Sequence, residues 1–259
     1  MPDASPRDLI GVLRRSHDRV AGLVRDLDED ALRAQSYDTE WTVAQVLSHL
    51  GSGATIFRLV LDAGLAGTDA PGNDVFREIW AEWDAKGPVQ MRDSFLEADE
   101  AIVARLESLD DEQVATFSLP LWGMVLDIAA FVRMRLSEHA VHVWDVEVVL
   151  DPGAVVAADA VDVLVDGLGM TAGRAGRPSD PAYAVRVVTT SPARDLVVRT
   201  GDPVTLAAWA GEDVDGRIDL PAEAFLRLVT GRLDPDHTPA VEQSGERGLD
   251  DLRAAFPGF

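Results

Sequence analysis

The 259-residue sequence contains no cysteine. Disulfides, cysteine nucleophiles and cysteine-ligated zinc are thereby excluded, and thiol chemistry would require a thiol from outside the chain. Positive charge is scarce: 23 Lys and Arg stand against 45 Asp and Glu, for a formal charge of −22. A field of that sign repels nucleic-acid phosphates and anionic membrane surfaces, so neither is expected as a partner. No apolar run reaches membrane-spanning length. The opening "MPDASPRDLIGVLRR" also lacks the basic segment and apolar stretch of a secretory leader. A cytoplasmic location is expected. Internal repeats and low-complexity segments are absent as well.

What remains is a globular composition, 47% hydrophobic and 26% charged, in a chain long enough for two ordinary domains. The fold class expected is α+β. Residues 1–151 read as an up-and-down four-helix bundle. Ser5-Pro6 offers an N-cap and first helical position for "RDLIGVLRRSHDRVAGLVRDL", where Leu9, Val12, Leu13, Val20, Leu23, Val24 and Leu27 keep helical spacing. Thr42 is the expected N-cap of a second long helix running through "VAQVLSHLGSGATIFRLVLDAGL". "DVFREIWAEWDAKG" is a shorter helix stopped by Gly87-Pro88, and "VQMRDSFLEADEAIVARLESL" is a further long one. The last is expected over "LWGMVLDIAAFVRMRLSEHAVHVWDVEVVL". After "LDPG" the character changes, and residues 152–259 read as a smaller α+β domain. It has a helical stretch from "AVVAADAVDV", strands at "AYAVRVVTT", "DLVVRT" and "TLAAWA", and helices at "PAEAFLRLVTGRL" and "LDDLRAAF".

The last long helix of the bundle carries four polar residues within two turns: Glu138, His139, His142 and Asp145. At about 100° per residue, Glu138 and His142 stand about 40° apart, with Asp145 close to the same meridian. Phe131, Met134, Val141 and Val149 lie near that face, so the carboxylate and imidazole are expected to point into the bundle, where an unpaired charge is costly. His49, on the flank of the Leu47, Leu50, Phe57 and Leu61 stripe, is positioned to meet them if the two helices pack together. Two imidazoles and one carboxylate with an open position form a recurring catalytic zinc set and also suit other divalent ions. The plain alternative is a structural or surface ion-pair cluster. His139 stands about 60° from His142 and is set aside, and His17 and His237 have no evident partner. Trp41 and Trp144 are read as aromatic core, with pocket lining as the alternative.

"EWTVAQVLSHLGS", followed some ninety residues later by "RLSEHAVHVWDV", resembles the mycothiol-dependent maleylpyruvate isomerase family, within the DinB/YfiT-like metal-binding bundle superfamily. The matching positions are Trp41, Leu47, His49 and Leu50, then Arg135, Glu138, His142 and Asp145. "AEAFLRLVTGRL" resembles the family's sterol-carrier-like C-terminal domain, with Arg232 at its basic position. The resemblance implies a divalent ion, zinc first, held by His49, Glu138 and His142, and mycothiol as a thiol cofactor. That thiol would attack a small-molecule electrophile as an S-transferase or as a cis–trans isomerase. Asp145 and Arg135 would support the ligands, Arg135 by pairing with Glu138 or Asp145. Arg232 would be a catalytic and cofactor-binding residue that takes a carboxylate, or else a cation at a helix end. A monomer or small homo-oligomer is expected. Two further readings compete: a metal-dependent hydrolase with Asp145 as the available base, and a non-catalytic ligand-binding stress protein.

Overall fold

In the computed structural model of the chain, residues 4–121 and 123–258 are described. They divide into two units, one ending at Ala154 and the other beginning at Val155, a few residues beyond the boundary read from "LDPG".

The first unit is built on four long helices: α1 (Pro6–Val24), α3 (Val43–Ala66), α5 (Pro88–Glu107) and α7 (Ile128–Leu150). Short helices α2 (Glu29–Arg33), α4 (Asn73–Asp84) and α6 (Asp111–Thr116) lie in the connections. The starts follow from local chemistry. Ser5 accepts from the Asp8 amide with Pro6 in the first turn, Thr42 and Gln45 form a reciprocal capping box, and Asp127 accepts from the Ala130 amide. The α3 helix ends at Gly67, whose φ of 66° is the left-handed conformation that glycine adopts without strain. Helix α3 packs on α5 and α7, and α1 packs on the same two. Val20, Val24, Val43, Val46, Leu47, Leu50, Phe95, Val143 and Val146 form one buried cluster between them.

The last helix starts later than its sequence suggests. Leu119–Leu121 (β1) and Met124–Leu126 (β2) pair as an antiparallel hairpin with Leu119 opposite Leu126, and Gly123 in the turn has a φ of 79°. The hairpin's hydrophobic residues extend the apolar pattern of α7 without a break, which hides the boundary that Asp127 sets. Trp122, within the expected helix, lies outside the described residues, as do residues 1–3 of the opening segment. The short helices α2 and α6 were missed, although Asp28 and the Asp110–Gln113 capping box mark their starts.

The second unit holds a five-stranded sheet ordered β5-β4-β3-β6-β7, from β3 (Ala184–Thr190), β4 (Arg194–Arg199), β5 (Thr205–Ala208), β6 (Gly216–Pro221) and β7 (Glu242–Gly245). β3 and β6 are parallel and the other neighbours antiparallel. Helices α8 (Ala158–Leu164), α9 (Leu168–Ala175), α10 (Ala222–Val229) and α11 (Leu249–Ala255) complete it, and α10 packs on β3 and β6. The first three strands stand where β-branched runs predict them. β6 and β7 do not: "GRIDLP" has only two apolar residues facing inward, Ile218 and Leu220, and "EQSG" is exposed throughout. No helix among the described residues is long and apolar enough to cross a membrane.

Candidate metal centre

Helix α3 supplies His49, and α7 supplies Glu138 and His142. One ligand atom from each lies within 4.8 Å of the other two. His49 Nε2 is 3.4 Å from Glu138 Oε2, and His142 Nε2 is 3.8 Å from the same oxygen. Donor atoms about 2.0–2.1 Å from a shared tetrahedral ion sit about 3.3 Å apart, so the donor set and its spacing fit a divalent cation. The other ring nitrogen of His142 donates to Asp145 Oδ2 at 2.9 Å, and Asp145 is fully buried. That bond fixes the tautomer that leaves Nε2 free to face the cluster, the usual arrangement behind a metal-bound imidazole. The indole of Trp41 lies 4.9 Å from the His49 ring and 5.9 Å from that of His142, so it covers the cluster instead of serving only as core. Trp144 is core: it is buried against Tyr37 and its indole nitrogen donates to the Ala154 carbonyl.

Partial desolvation by the surrounding protein pushes up the pKa of the Glu138 carboxyl, which stays half exposed. The hydrogen bond from His49 and the charges of His142, His49 and Arg135 more than reverse this, and the net value falls to about 2. The group is a carboxylate at any working pH.

Two expectations about α7 are corrected. Glu138 does not point into the bundle interior; its side chain is 50% exposed, and Val149 is exposed as well. The inward residues are Arg135 and His139, at 1% and 0% exposure. Helix α7 is apolar nearly all round, so it has no single stripe from which to read an inside. Its core meridian runs through Val132, Leu136, His139 and Val143, and Glu138 and His142 stand on the flank that meets α3. Arg135 accordingly pairs with neither Glu138 nor Asp145. Its guanidinium donates to Asp99 Oδ1 on α5 at 2.7 Å and to the Leu50 carbonyl on α3 at 3.0 Å.

Asp99 was not singled out in the sequence, yet it accepts from Arg135, from His139 at 2.9 Å and from His17 at 2.8 Å. Ser16 Oγ lies 2.8 Å from the remaining nitrogen of His139. The signal was present: Asp99 interrupts the helical stripe Phe95, Ile102 and Leu106, and Ser16 and His17 interrupt Leu9, Leu13, Val20 and Val24. His237 also has a partner, Asp234 at 3.0 Å. Arg232 stands in the second unit just past α10, where it donates to the Thr230 carbonyl at 2.7 Å, as a cation at a helix C-terminus does.

Residues 13–147, more than half of the chain, match the family described as mycothiol maleylpyruvate isomerase N-terminal domain. No curated protein matches the sequence. Among solved structures the chain is similar to the crystal structure of the mycothiol-dependent maleylpyruvate isomerase, with 14% identity and a TM-score of 0.69 over 96% of this chain and 98% of that one. It is similar also to a histidine-to-alanine mutant of that isomerase, at 13% identity and a TM-score of 0.70 over the same shares. At such identities the likeness is one of fold, and it extends through both units. The chain belongs to the mycothiol maleylpyruvate isomerase N-terminal domain family.

Proposed function

We propose that this protein is a metal-dependent enzyme that uses mycothiol against a small electrophile, as an S-transferase or as a maleylpyruvate-type cis–trans isomerase. The observation that carries the reading is the convergence of His49, Glu138 and His142 from two helices, with Asp145 behind His142. His49, Glu138 and His142 would hold a divalent cation, zinc by its donors, whose positive charge would lower the pKa of a nearby thiol. The chain's own part is to keep Glu138 ionised, to present His142 in one tautomer, and to shield one side of the cluster with Trp41. With no cysteine of its own, the chain depends on an external thiol. Arg232 remains a proposed carboxylate contact. The hydrolase reading needs a base beside a water, and Asp145, its one candidate, is fully buried and bonded to His142.

The test combines elemental analysis with thiol-consumption and isomerisation assays across a panel of electrophiles. Purified protein should carry near-stoichiometric zinc or a similar ion, and His49→Ala should lose it. An S-transferase should deplete free mycothiol. An isomerase, which returns its thiol, should convert the cis electrophile to the trans product only when mycothiol is present. Either activity should be faster with wild type than with Glu138→Ala, whereas turnover without thiol would favour hydrolysis. Equal rates for the two proteins in both readouts would sink the proposal.

A further inference from the structure

Behind the metal cluster lies a second polar group that the chemistry above does not use. Asp99 on α5 is fully buried, and so, within 1%, are Arg135 and His139 on α7. A buried ion pair is a weak reason for stability, because apolar residues of the same volume do as well or better. Its best-attested use is to fix which elements pack and in what register. We propose that Asp99 and Arg135 are positioning residues, a buried clamp that sets α3 against α7 and so holds His49, Glu138 and His142 at ligand spacing. This inference rests on the metal reading given above.

The geometry is specific. One nitrogen of Arg135 reaches both Asp99 Oδ1 and the carbonyl of Leu50, and Leu50 is the residue after His49. Arg135 itself precedes Glu138 by three residues, about 4.5 Å along the axis. A single guanidinium therefore ties the α3 backbone beside one ligand to the helix that carries the other two. Asp99 Oδ2 meanwhile takes His139, next in sequence to Glu138, and His17 from α1. The rotation of α7 is thus held directly from α5 as well as from α3, and Asp99 is itself tied to α1. Gly53, one turn beyond His49, makes room for the clamp: a Cβ there would stand 3.1 Å from Arg135 Nη1. Arg135 Nε is buried with no hydrogen-bond partner among the described residues. The side chain is thus placed by its contacts to Asp99 and Leu50, and not by full satisfaction of its donors.

The test uses the full chain, stripped of metal and titrated with Co²⁺ alone against a competing chelator, with the visible d–d spectrum recorded for each protein. In Arg135→Lys a positive charge still faces Asp99, but the planar fork that spans both acceptors is gone. It should bind Co²⁺ about 10- to 100-fold more weakly, the usual effect of losing a supporting partner, with an altered spectrum. Gly53→Ala, which keeps every clamp residue and only crowds the guanidinium, should shift both readouts in the same direction by less. Leu9→Ala, a cavity variant two turns from Ser16 on α1, should lower the melting temperature and leave both readouts unchanged. If Arg135→Lys does not fold, Gly53→Ala decides. Wild-type affinity and spectrum in the clamp variants would overturn the clamp, as would equal weakening in Leu9→Ala. Failure of the wild type to take up Co²⁺ would overturn the metal reading and the clamp together.

Discussion

Asp99 shows how one residue can be both decisive and hard to find. Burial pushes its carboxyl pKa up, but the charges of His139 and Arg135, with hydrogen bonds from His139 and His17, hold it well below the usual carboxylate range. A folded-state pKa below the unfolded one adds stability above the unfolded value, about 3.9, and that stability is lost as the pH falls through the folded value. Asp99→Asn should therefore destabilise the protein by about 3–5 kcal/mol at neutral pH, because it leaves Arg135 buried without its counter-charge. The gap between wild type and variant should narrow below about pH 4. Urea unfolding of both proteins at neutral and acidic pH checks this, and a gap independent of pH would mean that the carboxyl is not ionised in the fold. The proposed metal ligands were easier to read than Asp99. His49, Glu138 and His142 are the residue types a metal takes, and the two on one helix stand a turn apart. Asp99 is one acid among 45 Asp and Glu, and only its place in an apolar stripe marks it.

Among the helices and strands, legibility followed how cleanly each separates an inner from an outer face. α1 and α5 present stripes whose breaks, at Ser16, His17 and Asp99, are themselves informative. α7 is apolar on nearly every side, and the direction of Glu138 could not be taken from its periodicity. α3 illustrates a constraint of a different kind. A Cβ at Gly51 would stand 2.2 Å from the Trp83 ring of α4 and 3.1 Å from the Phe95 Cα of α5. Gly51→Ala removes a helix-interior glycine and by propensity alone should gain about 1 kcal/mol. The contacts decide otherwise. Trp83 is 4% exposed and has little room to withdraw, so overpacking should cost about 1–3 kcal/mol. A lower denaturation midpoint in Gly51→Ala, with altered tryptophan fluorescence, is the expected outcome. A stabilised variant would show that α4 shifts freely over α3. The edge strand β7 lies at the other limit: exposed throughout, it has no alternation for a sequence reading to detect.

For the molecule as a whole, the dominant property is charge, and it bears on the chemistry proposed for the metal cluster. A formal charge of −22 and a sequence pI near 4.4 surround the chain with a negative potential. An anionic electrophile approaching His49, Glu138 and His142 must cross that field, whereas a neutral one does not feel it. Screening shortens the reach of the field from about 30 Å at 0.01 M ionic strength to about 10 Å at 0.1 M. Added salt should therefore raise kcat/KM for a carboxylate-bearing electrophile several-fold over that range and leave a neutral electrophile of similar reactivity almost unchanged. Product formation, followed for both substrates at saturating thiol, measures the ratio directly. If the anionic substrate slows as salt rises, the approach to the site is locally positive despite the overall charge. Arginines near the cluster would then have to dominate its field, and the substrate they select would be an acid.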